Sequence, residues 1–115
     1  MTVKQIGSHR LLCGDITTED LSVLMDGEKA DIIYSDPPWN AGMATLFRKW
    51  AGKPAKVDLD EFFNALLLNL KTHGKGVVVL DVGVQSYARF KKCAEAAGAK
   101  MIDEIEMEWD SGGKY

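Results

Sequence analysis

The sequence is poor in side chains that hold metals. Cys13 and Cys93 lie 80 positions apart, no Cys-x-x-Cys pair occurs, and His9 and His73 are equally scattered. No zinc-type ligand spacing can be built from these four, so no metal is expected. The two thiols read as buried side chains in a reducing compartment. Long apolar runs are also missing, and nothing approaches the roughly 20 residues that span a bilayer. The stretch from Met1 to Arg10 lacks the apolar centre of a secretory signal, which makes the cytoplasm the expected location. Repeats and low-complexity segments are absent, and so is an excess of positive charge.

The 115 residues carry a net charge of −3, which is not the overall balance of a nucleic-acid binder. Its distribution is uneven. Between Asn40 and Val57 there is no acid, while Arg48, Lys49, Lys53 and Lys56 give that stretch +4. Asp103, Glu104, Glu106, Glu108 and Asp110 concentrate the opposite sign near the other end. The hydrophobic share of 46% suits a soluble protein, and the length suits one domain or part of one.

Strand and helix patterns alternate along the chain. Val3–Ile6 and His9–Cys13, split by Gly7-Ser8, predict a hairpin. Thr17-Thr18-Glu19-Asp20 predicts a helix start, with Leu21, Leu24 and Met25 on one face and Gly27 as its end. Ala30 to Ser35 predicts a strand stopped by Pro37 and Pro38, which cannot donate to a ladder. A basic loop is expected up to Val57. Asp58 with Glu61 forms a capping-box-like start for a helix, whose apolar face runs through Leu59, Phe62, Phe63, Leu66, Leu67 and Leu70. Val77 to Leu80 has the unbroken apolar pattern of a parallel strand covered on both faces. Ser86 to Ala97 predicts a helix with Tyr87, Phe90 and Ala94 inward. Ile105, Met107 and Trp109 alternate with Glu104, Glu106 and Glu108 as in a half-buried strand. The order implies an α/β layer fold, a mostly parallel sheet with helices on its faces and an N-terminal hairpin. Ligands in such sheets bind beyond the carboxyl ends of the strands. Asp15 and Asp36 each stand just past such an end, and Asp81 near one.

The chemistry gathers at Asp36-Pro37-Pro38-Trp39. An exocyclic amine on a nucleobase is a poor nucleophile because its lone pair is delocalised into the ring. Acceptors on its hydrogens would localise that pair. Asp36 supplies a carboxylate, and Pro37 a carbonyl held at a fixed φ. Trp39 supplies a flat face on which an extruded base can lie, worth about 1–3 kcal/mol. Methylation by direct displacement then depends on alignment.

The run Ser8 to Asp15, followed by Lys29 to Asn40, resembles the opening of S-adenosylmethionine-dependent DNA amino-methyltransferases in which the Asp-Pro-Pro-aromatic motif precedes the cofactor motif. Gly14-Asp15 stands about 20 positions upstream of the tetrapeptide, as in that family. Asp58–Thr72, Gly74–Val79 and Glu104–Trp109 are similar more loosely to the elements that follow. The resemblance implies a partial Rossmann-like methyltransferase sheet over residues 1–115, read as a single partial catalytic domain. It implies S-adenosylmethionine as cofactor, with Asp15 and Asp36 on the cofactor side. Asp36, Pro37, Pro38 and Trp39 would be catalytic, and Arg48, Lys49, Lys53 and Lys56 would contact phosphates. The implied role is DNA methylation of the restriction-modification kind. An initial aspartate leans toward adenine N6 over cytosine N4, and Trp in place of Tyr keeps RNA open as a substrate.

One family part has no counterpart. Asp81-Val82-Gly83-Val84 holds a single glycine on the wrong strand, and no helix follows Asp110-Ser111-Gly112-Gly113, so no glycine-rich cofactor loop is present. Either a second chain or a homo-oligomer completes the fold, or the sequence is that of a truncated descendant or a fragment. Alternatives stand beside each reading. Asp36–Trp39 could be a structural strand-to-loop turn with a capping acid and a packed indole, and Asp15 a helix cap. Phe47 and Trp50 in the basic stretch could track a phosphate backbone or anchor a solvated loop. The whole chain could be a non-catalytic, degenerate methyltransferase binding nucleic acid or protein, or an RNA or protein-amide methyltransferase.

Overall fold

The computed structural model describes residues 3–54 and 58–106. Strands β1 (Val3–Ile6) and β2 (His9–Leu12) pair antiparallel, Val3 opposite Leu12 and Ile6 opposite His9. The turn between them needs Gly7, whose φ of 61° is a left-handed value that few side chains adopt. Arg10 ties the hairpin to the next connection through Glu28 at 2.9 Å.

The helix expected from Thr17 to Gly27 is shorter, a single turn α1 (Ser22–Met25). The preceding residues are diverted by Asp15, whose carboxylate and carbonyl accept the amides of Thr17, Thr18 and Glu19 in local turns. Such side-chain bonds compete with helix extension.

The segment expected as a basic loop is mostly helical, and α2 (Ala41–Trp50) occupies it. Asn40 is the reason: its extended backbone places Oδ1 to accept the Met43 amide at 2.8 Å, capping the helix directly after the prolines. Arg48 and Lys49 fall in the last turn, where the helix dipole favours cations.

Strand β3 (Ala30–Ser35) and strand β4 (Gly74–Leu80) form a parallel pair, with Ile32 opposite Val77 and Ser35 opposite Leu80. The ladder is irregular near Asp31, where a Cβ on Gly76 would stand 2.1 Å from the Asp31 carbonyl oxygen. Helix α3 (Leu59–His73) connects back to β4 and begins as expected, Asp58 accepting the amides of Asp60 and Glu61. Helix α4 (Tyr87–Ala96) follows.

The core lies on one side of the parallel pair. Leu59, Phe63, Leu66, Leu67 and Leu70 of α3 cluster with Ala44, Phe90 and Cys93, and Ile33, Leu80 and Val82 pack against them. Phe63 and Phe90 meet edge to face with centroids 4.8 Å apart, a favoured aromatic geometry. The other face is open. Ile32 and Tyr34, with Val77 and Val79 opposite them, are exposed, so the expectation of a strand covered on both sides is corrected. Cys93 is buried as expected, whereas Cys13 is exposed. Residues 104–106 belong to no strand, and Ile105 is 84% exposed, because among the described residues no neighbouring strand lies beside them to make use of the alternating pattern. Met107 to Trp109, and the Asp110–Gly113 stretch, lie outside the described residues.

The described part is thus a small α/β protein: an antiparallel hairpin, a two-stranded parallel sheet and helices. Among the described residues no helix is long and apolar enough to cross a membrane.

Truncating α3 on its two sides should give opposite results. Phe63→Ala, at a side chain 0% exposed, should cost about 3–5 kcal/mol and leave little cooperative unfolding. Leu68→Ala, on the solvent side of the same helix, should change stability by less than about 0.5 kcal/mol in a urea titration.

Candidate nucleobase and phosphate site

Parallel pairing delivers two acids to one end of the sheet. Ser35 and Leu80 are the last paired residues, and the Asp81 amide donates to the Ser35 carbonyl at 3.1 Å. Asp36 and Asp81 therefore leave the sheet side by side. The Tyr34 hydroxyl donates to the Asp81 carboxylate. That hydrogen bond, with desolvation and the nearby charges of Asp81 and Asp36, raises the Tyr34 phenol above its ordinary pKa.

The tetrapeptide is held from several sides. Pro37 is buried, and Pro38 and Trp39 are half-buried. The Trp39 indole Nε1–H donates to Asp36 Oδ1 at 2.9 Å, while the Asp36 carboxylate remains exposed. Beneath the indole lies Gly83, where a Cβ would stand 2.6 Å from the Trp39 Cβ. Capping belongs to Asn40, and Asp36 instead accepts the indole proton. A carboxylate with one oxygen fixed by an indole can present its other oxygen to an N–H donor at the sheet's rim. Asn40 and Gly83 were not singled out in the sequence as site residues. A glycine three residues past a strand end is a weak signal, and an asparagine after Pro-Pro-Trp a readable one.

Asp15 sits in a second cluster. Its side chain is only 11% exposed, and both oxygens are engaged. Oδ1 accepts from the Thr17 amide at 2.9 Å and the Thr17 hydroxyl at 2.6 Å. Oδ2 meets Arg48 Nη1 and Lys53 Nζ, each at 3.3 Å. Burial opposes ionisation, but the Thr17 hydrogen bonds and Lys53 outweigh it and hold the carboxyl at about 2. Arg48 also donates Nε–H to the Pro54 carbonyl at 2.9 Å. Two of the four cations expected on phosphates are thus held by Asp15. Lys49 is exposed, and Lys56 lies outside the described residues.

A cavity of about 150 Å³ opens beside Asp15, lined by Leu12, Gly14, Ile16, Glu19, Leu21 and Leu24. Small-molecule sites occupy roughly 300–1,000 Å³. With both Asp15 oxygens taken and this volume, the cavity beside Asp15 does not fit S-adenosylmethionine. Among the described residues, no three His, Cys, Asp or Glu side chains gather to hold a metal.

The Asp15 clamp has a pH signature. A folded-state pKa of about 2 against an ordinary 3.8 stabilises the fold above about pH 4 by roughly 2 kcal/mol, and this is lost as pH falls through about 2. Asp15→Asn should therefore be less stable than the parent at neutral pH. The gap should close between about pH 4 and pH 2 in urea titrations, and a gap independent of pH would exclude an ionised clamp.

Compared with protein-family models, curated proteins and solved structures, the chain finds no match in any of the three, so its site is read from sequence and geometry alone.

Proposed function

We propose that this chain is the base-gripping half of an S-adenosylmethionine-dependent amino-methyltransferase, with adenine N6 in DNA as the first-choice acceptor. The observation that carries the reading is the Asp36–Trp39 step. A carboxylate oriented by an indole N–H stands at the carboxyl end of a parallel strand, on a proline-stiffened backbone. Asp36 accepts one hydrogen of the target amine and the Pro37 carbonyl the other, which pulls the nitrogen toward tetrahedral geometry and localises its lone pair. Trp39 contributes a stacking surface beside them. The sheet beneath belongs, in this reading, to a Rossmann-like methyltransferase fold.

The described residues supply the acceptor side only. The methyl donor's site lies outside the described residues, and no step through the donor is assigned to them. The clamp on Asp15 favours a competing reading, a non-catalytic module that kept the nucleobase step and lost the donor side.

Labelled-methyl transfer separates the two. With a co-encoded partner present, transfer from S-adenosylmethionine to adenine-containing DNA should fall by about 100-fold or more in Asp36→Ala, with an unchanged thermal melt. Trp39→Phe should fall between the parent and Asp36→Ala, because it keeps a stacking face and loses the N–H that orients Asp36. If no preparation binds S-adenosylmethionine in calorimetry or transfers label, the enzyme reading is lost and the binding module stands.

A further inference from the structure

We propose that Phe47 and Trp50, displayed on α2, form a stacking platform for the bases of single-stranded nucleic acid. The ligand class rests on the nucleobase reading above, but the geometry comes from the opposite end of the helix.

Residues three apart on a helix share a face. Phe47 and Trp50 do so with ring centroids 5.8 Å apart and planes inclined by 39°. Neither belongs to the core cluster: Trp50 is 72% exposed and Phe47 is 41% exposed, so neither anchors the segment. The α2 residue that enters the core is Ala44, from which Phe47 is turned by about 60° and Trp50 by about 120° around the helix axis. Two adjacent solvent-facing rings spend apolar surface on water, which is the usual mark of a recognition patch.

The charge around them selects the occupant. No acid lies between Asn40 and Val57, so the patch suits an anionic ligand. Arg48 and Lys53 are engaged by Asp15, and among the described residues Lys49 is the remaining cation on α2. An anionic bilayer is drawn by several basic residues together, and one lysine is a poor lure. A single strand adds to charge the stacking of its bases on rings, which a bilayer headgroup layer does not offer. A duplex keeps its base faces inside its own stack and offers such rings only edges. The helix rise puts the pair roughly 10–15 Å from the Asn40 cap, a short strand's reach from Asp36. A strand held there would pass toward the Asp36–Trp39 step.

Stacking beside Lys49, the one cation of α2 among the described residues that Asp15 does not engage, predicts weak salt dependence. Anisotropy of a labelled single-stranded oligonucleotide, titrated with the full chain without methyl donor, should give a log–log salt slope of about −0.7, against about −2.8 if four cations met phosphates. Trp50→Ala should weaken binding about fivefold to 150-fold at an unchanged slope, whereas Trp50→Tyr should keep most of it. Lys49→Ala should flatten the slope. Duplex binding as tight as single-strand binding, indifference to Trp50→Ala, or binding to anionic vesicles in place of the oligonucleotide would each overturn the platform. Its fate is separable from that of the methylation reading. Strand binding lost in Trp50→Ala, with no methyl transfer in any preparation, keeps the platform and removes the enzyme. Methyl transfer with strand binding indifferent to Trp50 does the reverse.

Discussion

A two-stranded ladder has little stability of its own in water. The pairing of β3 with β4 persists because α3, lying between them in the chain, packs its apolar stripe against the same pair it connects. Ile33 and Leu80 enter the cluster around Phe63 and Leu66, and Phe90 closes it from α4. The site follows from this packing. Only when Ser35 lies opposite Leu80 do Asp36, Asp81 and Gly83 share one rim.

The two acids near strand ends have been given opposite environments. Asp15 is nearly enclosed and saturated by Thr17, Arg48 and Lys53, so its charge is permanent and internally spent. Asp36 is exposed, and the indole that binds it stands three residues away on the same stiffened step. The first acid organises the chain between β2 and the end of α2. The second faces outward. A carboxylate that already neutralises two cations adds little toward a ligand, which is why the acceptor chemistry belongs to Asp36.

Most of the framework could be read from residue order. The hairpin, β3, the capped start of α3 and the Phe90 face of α4 all follow from turn residues, a capping acid and apolar spacing. α2 was hidden by its charges. Arg48, Lys49 and Lys53 look like a solvated loop until Asn40 is seen as a cap and Asp15 as the distant partner of Arg48 and Lys53, 33 and 38 positions away. That pairing is a tertiary fact that no local window contains. α1 fell short because Asp15 captured the amides that would have begun it. The alternation at Glu104–Glu106 describes a strand in need of a neighbour, and the described residues offer none. Asp36–Trp39 was legible as a motif, but the indole-to-carboxylate bond within it was not.

Gly83 has a consequence of its own. With a bare backbone pressed up to the root of the Trp39 side chain, position 83 in the step just past β4 has no room for even an alanine methyl. The loops that close the two strands are thereby fitted to each other at one point, and a larger residue at 83 would displace Trp39 together with the Asp36 carboxylate bound to it.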